Sequence, residues 1–121
     1  MNYGDLIKVV WLDASEQFKN KIESPEAITT TLGVFLGWKG RINKHIVIVN
    51  EFVYFPEDQL VLSKFICIPS KMILKTQLVK EHVMSDKLLK KMIRITKKHK
   101  ISDLRGGVGW YETNEVDFKM S

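Results

Sequence analysis

This chain of 121 residues has few of the features that identify a functional class at once. Its single cysteine, Cys67, cannot form a disulfide within the chain, which is typical of a reducing, intracellular compartment. No apolar run approaches the roughly 18 residues that a membrane helix needs, and the N-terminal residues do not combine a basic segment with an apolar one. We therefore expect a cytoplasmic protein with no membrane partner.

Residues that support metal or covalent chemistry are equally sparse. The sequence has no Cys-x-x-Cys or His-x-x-x-His spacing, and its histidines are far apart, at His45, His82 and His99. We therefore predict no metal site and no cofactor. Cys67 lies between two isoleucines, where a cysteine usually serves as a small hydrophobic side chain. Asp13 follows a strand-like segment, a position typical of turns. These observations predict that the protein is not an enzyme.

The net charge of +5 is concentrated in one segment of the chain. Residues 1–79 carry nine basic and eight acidic side chains, residues 80–100 carry eight and two, and residues 101–121 carry two and four. A basic face can attract phosphates, although a solvated helix face would show the same charges. We predict a β scaffold at 1–79, followed at 80–121 by a basic helix and tail that pack on the scaffold or at a subunit interface.

Five segments rich in β-branched and aromatic residues are separated by turn signals and predict five strands, at 6–12, 28–36, 45–54, 59–68 and 71–79. Gly33, inside the second segment, favours a bulge or bend. This pattern predicts a mainly β (α+β) fold, a small five-stranded antiparallel barrel or roll with strong bending. The core residues that we expect are Val9, Trp11, Leu32, Val34, Ile46, Ile48, Leu60, Leu62, Phe65, Ile68 and Ile73.

One amphipathic helix is predicted over residues 86–98, with Ser85 as its N-terminal cap. Apolar residues recur at helical spacing, and basic residues occupy the other faces: Lys87, Lys90, Arg94, Lys97 and Lys98. We expect an ordered tail after the helix. The apolar stripe, together with three Trp and six Phe, exceeds what a small barrel can cover, so we predict a homo-oligomer.

Three short motifs in the first 78 residues resemble a family of small phage and prophage proteins of uncharacterised function. These motifs are Trp11-Leu12-Asp13-Ala14, Gly33-Val34-Phe35-Leu36, and Ile68-Pro69 followed by Ile73. The resemblance covers about two-thirds of the chain. It implies a viral or prophage origin, hence the host cell cytoplasm as location, and a compact barrel, and it implies no catalytic residue.

The segment at 105–111 is the strongest candidate for a ligand site in the sequence. It combines Arg105, which can bind a phosphate with its planar guanidinium, with glycines whose backbone N–H groups could face that phosphate. The aromatic rings that follow could stack on a base. The residues of this candidate site are Arg105, Gly106, Gly107, Gly109, Trp110 and Tyr111. A loop after the helix, with Trp110 packed back on the barrel, is the structural alternative.

Two basic clusters could add phosphate contacts. One is the predicted helix, through Lys90, Arg94, Lys97 and Lys98. The other is the turn at 37–44, which contains Trp38, Lys39, Arg41 and Lys44 and could touch nucleic acid by stacking and by phosphate contacts. Either cluster could equally be a solvated surface.

Together these patterns predict a non-enzymatic viral binding protein. Its first predicted function is to sequester a nucleotide-like, phosphate-bearing molecule, such as a host defence signal. The first alternative is a nucleic-acid-binding module that uses the basic helix. The second alternative is a protein–protein inhibitor or structural subunit.

Overall fold

The computed structural model describes residues 1–14 and 26–112. Within these residues six strands form one antiparallel sheet: β1 (Leu6–Ala14), β2 (Glu26–Lys39), β3 (His45–Phe55), β4 (Leu60–Pro69), β5 (Ile73–Lys80) and β6 (Val108–Tyr111). A short 3-10 helix at Ser70–Met72 joins β4 to β5. Two α-helices, α1 (Asp86–Lys98) and α2 (Ile101–Arg105), lie between β5 and β6 in the chain. The strand order in the sheet is β5-β1-β2-β3-β4-β6.

The sheet is open. The mainly β, antiparallel class with one long helix is confirmed, but the predicted five-stranded barrel is wrong. A closed barrel would need β4 to pair with β5. Instead β5 pairs with β1, and the outer edge of β4 pairs with β6 between Leu60 and Ser63. The C-terminal part of the chain therefore occupies part of the edge that closure would require.

Helix α1 spans the residues that the sequence predicts. The hydroxyl of Ser85 accepts a hydrogen bond from the backbone N–H of Leu88 at 3.3 Å, which satisfies one of the free donors of the first turn. Leu88 and Met92 are buried, while the basic side chains of the last turn favour the negative end of the helix dipole. The cap and the apolar stripe are both local signals, which explains the agreement.

Two apolar clusters lie on opposite faces of the sheet. The first lies under the helices and includes Val34, Leu36, Val47, Val49, Val61, Phe65, Cys67, Leu88, Met92, Leu104 and Val108. The second contains Ile7, Val9, Phe35, Ile46, Ile48 and Ile68. Side chains of the strands themselves, among them Trp11, Ile66 and Ile73, pack against this second cluster, so the sheet bends around it.

Most of the predicted core residues are buried or partly buried. The buried ones are Val9, Val34, Ile46, Ile48, Phe65 and Ile68, and the partly buried ones are Trp11, Leu60, Leu62 and Ile73. Leu32 is 54% exposed, so its prediction as a core residue is wrong. It lies opposite Lys8 in the β1–β2 ladder, on the same face as Val34, where the described residues cover less than half of it.

The helices of the described part of the chain are all too short or too polar to cross a membrane.

Candidate nucleic-acid interface

The segment at 105–111 is divided between a turn and a strand. Arg105 ends α2, and the N–H of Gly107 donates to the carbonyl of Leu104 at 3.0 Å. Gly107 has a φ of +87°, a left-handed conformation that favours glycine. Gly109 then lies opposite Leu62 in the β4–β6 ladder. Gly107 therefore shapes the turn from α2 into β6, and Gly106 caps α2.

Two contacts hold the side chain of Trp110 in the fold. Its indole Nε1–H donates to the hydroxyl of Ser63 at 2.6 Å, and Ser63 is fully buried. The ammonium of Lys91 lies 4.2 Å from the centre of the indole ring, a cation–π contact, and 3.2 Å from the carboxylate of Glu112. One face of the ring is thus covered. Tyr111, by contrast, is 79% exposed.

Arg105 and Trp110 do not line a common cavity. Nη2 of Arg105 donates to the carbonyl oxygen of Cys67 at 3.1 Å, at the rim of a cleft that Trp110 does not reach. The structure therefore separates the two side chains that the sequence combines in one site. Arg105 lies beside a cavity, whereas Trp110 stabilises the packing of β6.

Cys67 lies in the core, as its apolar neighbours in the sequence predict. Its side chain is 5% exposed and belongs to the cluster under the helices. Burial raises the pKa of the Cys67 thiol above its usual range, because the thiolate would lose its hydration. These properties suit packing and disfavour nucleophilic chemistry.

The second predicted cluster, at the β2–β3 hairpin, meets the end of α1. Nζ of Lys39 donates to the backbone carbonyl of Thr96 at 2.7 Å, although the two residues are 57 positions apart. This hydrogen bond holds the base of the hairpin against the last turn of the helix. A shallow hollow of about 90 Å³ lies at the junction, and Tyr3, Trp38 and Lys97 line it.

Two aromatic rings at this junction are open to solvent. Trp38 is 48% exposed and Tyr3 is 53% exposed. The buried ring of Phe35 contacts both, with its centre 5.6 Å from that of Tyr3 and 6.5 Å from that of Trp38. Phe35 therefore packs against both rings, and about half of each residue stays exposed to solvent. Tyr3 could not be found from the sequence, because only the fold brings residue 3 beside the hairpin.

The basic residues of α1 share one side of the helix. With 100° per residue, Lys87, Lys90, Arg94, Lys97 and Lys98 fall within an arc of about 100°, opposite the buried residues. All five are exposed. Lys97 also lines the hollow beside Trp38, so the helix face continues into the hairpin. At the hairpin itself Arg41 and Lys44 are exposed.

We call this combined area the basic surface: Lys90, Arg94, Lys97 and Lys98 of α1, Trp38, Lys39 and Arg41 of the hairpin, and Tyr3. Comparisons with protein-family models, with curated proteins and with solved structures find no match to this chain. The resemblance to phage and prophage proteins therefore stays a prediction.

Proposed function

We propose that this protein binds single-stranded nucleic acid through the basic surface. The observation that carries the proposal is the hydrogen bond from Lys39 to the Thr96 carbonyl, at 2.7 Å. It joins two basic segments that are far apart in the sequence, and the half-exposed side chains of Trp38 and Tyr3 line the hollow at their junction. Non-sequence-specific binders of single strands combine these two elements, a positive path for the phosphates and rings on which bases stack.

Single strands are favoured over duplexes because of the exposed rings. In a duplex the bases are already stacked on one another, so Trp38 and Tyr3 would have no base face to contact. A duplex could use only the basic side chains. We therefore expect tighter binding to an unpaired oligonucleotide than to a duplex of the same length.

The experiment is a fluorescence-anisotropy titration of a labelled oligo(dT) and of a duplex of equal length, over a series of salt concentrations. If the surface neutralises about four phosphates, log Kd should change with log salt with a slope of about 3 for the single strand. Removing a stacking ring by Trp38→Ala should weaken binding roughly tenfold, since a stacked base contributes about 1–3 kcal/mol.

A matched pair of charge variants separates a binding surface from a general effect of net charge. Arg94→Glu/Lys97→Glu changes two residues of the basic surface, and Lys71→Glu/Lys75→Glu makes the same charge change at exposed residues of the 3-10 helix and β5. We expect the first variant to lose at least tenfold in affinity and the second to stay close to wild type. Equal losses in both, or no binding by the wild type, would contradict the proposal.

The first prediction from the sequence is that a viral protein sequesters a small phosphate-bearing molecule. This prediction now depends on Arg105 and the cleft beside it. The indole of Trp110 and the turn at Gly107 have roles in the fold, so they add less support than the sequence suggests. A host defence signal as the ligand, the viral origin and the absence of catalysis remain predictions. The other alternative, a protein–protein inhibitor or structural subunit, also remains open.

A further inference from the structure

A cleft of about 420 Å³ lies between β1 and β4. Strands β2 and β3 separate these two strands in the sheet. The cleft therefore lies at the gap that remains because the bent sheet does not close into a barrel. Its apolar walls include Trp11, Ile66 and Met72, and its polar groups include Asp13 and Arg105. The volume falls in the range of small-ligand sites, about 300–1,000 Å³. None of these residues belongs to the basic surface.

Two of the wall residues are fixed by hydrogen bonds that leave their binding surfaces available. The indole Nε1–H of Trp11 donates to the hydroxyl of Thr31 at 3.0 Å, which orients the ring. The guanidinium of Arg105 donates to the Cys67 carbonyl through Nη2, and a guanidinium has five N–H donors in all. Within residues 1–14 and 26–112, no carboxylate lies in ion-pair contact with Arg105.

The two charged groups of the cleft favour different chemical groups of a ligand. The guanidinium of Arg105 favours a carboxylate or a phosphate, which it can bind with two parallel N–H groups. The carboxylate of Asp13 can only accept hydrogen bonds when ionised, so it favours a ligand with an N–H or O–H group. A ligand with two separate anionic groups would bring a negative charge to Asp13 and is disfavoured.

We propose that this cleft binds a small organic anion with a planar apolar body. In the bound state its anionic group contacts Arg105, its ring lies against Trp11, and an N–H or O–H in the ring or attached to it donates to Asp13. An aromatic carboxylate with a ring N–H has this chemistry, and so does a nucleoside monophosphate. The site is independent of the proposed nucleic-acid binding, because it shares no residue with the basic surface.

The test uses the three tryptophans as site-specific reporters in ¹⁵N–¹H correlation spectra of the whole protein. Each gives one indole N–H signal, and Trp11→Phe assigns the signal of Trp11. Three probes are titrated: indole-3-carboxylate, adenosine monophosphate, and tryptamine, which is a planar cation. We expect a saturable shift of the Trp11 signal with one or both anions and none with tryptamine, while the Trp110 signal stays in place.

Variants then test the assigned contacts. Arg105→Gln should weaken binding of the anionic probe at least tenfold, whereas Lys75→Gln, which removes an exposed cation of β5 outside the basic surface, should not change it. Asp13→Asn should weaken the probe less than Arg105→Gln, because an amide oxygen can still accept the ring N–H. The remaining backbone signals report whether each variant is folded, so a lost site is distinguished from a lost fold.

The outcomes separate the two ligand sources and the two proposals. Saturation by adenosine monophosphate alone identifies nucleotides as the source, and saturation by indole-3-carboxylate alone identifies aromatic carboxylates. No shift of the Trp11 signal up to about 10 mM of either anion, or wild-type affinity in Arg105→Gln, would overturn the inference. Arg105→Gln should retain oligo(dT) binding and Arg94→Glu/Lys97→Glu should retain probe binding, so either proposal can fail alone.

Discussion

The carboxylate of Asp5 accepts a hydrogen bond from the backbone N–H of His82, with 3.0 Å between Oδ1 and the nitrogen. Its other oxygen accepts from the N–H of Asn2 at 2.8 Å, and the side chain is buried. Asp5 therefore joins the turn before β1 to the connection between β5 and α1, 77 positions away. These two backbone donors lower the pKa of the Asp5 carboxyl, because they stabilise its ionised form.

This contact predicts a stability that depends on acid pH. Above the unfolded-state pKa, about 3.9, the ionised carboxylate contributes its full stabilisation, and this is lost as the pH falls through the lower pKa of the folded state. Asp5→Asn should reduce the free energy of unfolding by about 1–2 kcal/mol at pH 7. Urea unfolding at several pH values should show the difference between wild type and variant shrinking below about pH 4. Asp58→Asn, at an exposed turn residue, serves as the control, and a difference between wild type and Asp5→Asn that does not shrink as the pH falls would contradict the role of Asp5.

A second prediction concerns Gly33. The β1–β2 register runs without a shift through Gly33, so this glycine does not mark a bulge between those strands; the irregularity lies in the β2–β3 ladder, between Phe35 and Trp38. A Cβ at position 33 would overlap the side chain of Ile48 and lie 2.9 Å from the carbonyl oxygen of Val49. Because Ile48 is fully buried and cannot move away freely, Gly33→Ala should lower the free energy of unfolding by about 1–3 kcal/mol in chemical denaturation.

Gly106→Ala is the matched control for Gly33→Ala. Its φ is −77° and an added Cβ would lie 3.5 Å from the carbonyl oxygen of Asp103, an ordinary contact. Alanine there should leave stability unchanged or raise it by up to about 1 kcal/mol, by restricting the unfolded chain. Equal effects at the two positions would show that close approach at Gly33 is unimportant.

A third prediction concerns Trp110. From the sequence, Trp110→Ala is expected to abolish ligand binding and leave the fold intact. The contacts of the ring with Ser63 and Lys91 instead predict a loss of stability of about 2–4 kcal/mol, visible in thermal or urea unfolding. Tyr111→Ala changes the next aromatic residue, which is largely exposed, and should shift stability by no more than about 0.5 kcal/mol. If the Trp110→Ala protein is as stable as wild type, the indole is not needed for the fold. The prediction that it binds a ligand would then be favoured again.

A fourth prediction concerns association of the chain with itself. In β5, Leu74, Leu78 and Val79 are each about half exposed, and β5 is an edge strand of the sheet. Exposed apolar residues on an edge favour pairing with another chain, which supports the predicted homo-oligomer. Light scattering should give a mass above that of the monomer, and Leu78→Lys should reduce it. Ile28→Lys changes an exposed apolar residue of β2 and should not. A monomer mass at high micromolar concentration would refute the prediction.

Local signals in the sequence predicted the helix and the position of five strands, but not the way in which the sheet ends. The bounds of α1 follow from Ser85 and from an apolar stripe, which lie within one segment. Strand β6 is only four residues long and includes Gly109, so its composition does not indicate a strand. Its pairing with β4 depends on contacts such as that of Trp110 with Ser63, 47 positions away. Pairing between distant segments has no local pattern, and for this reason the sequence does not show whether the sheet closes.

The same limit applies to the candidate sites. The composition indicates Arg105, Trp38 and the basic residues of α1 as candidates for binding, because charged and aromatic residues are visible in the sequence. It did not show that Arg105 and Trp11 line one cleft, or that Lys39 reaches Thr96. Both relationships depend on how the sheet bends and on where the helix ends against the hairpin.

The strand order has a consequence for the synthesis of the chain. The four inner strands, β1 to β4, are made first and in the order in which they pair, so a meander of adjacent hairpins can assemble as it leaves the ribosome. Its two edge strands, β1 and β4, remain unpaired on their outer sides during that time. The strands that pair with them, β5 and β6, are translated later. The nascent protein is therefore most prone to aggregate in the interval before residues 73–80 and 108–111 emerge, and chaperone binding to the ribosome-bound chain should peak there.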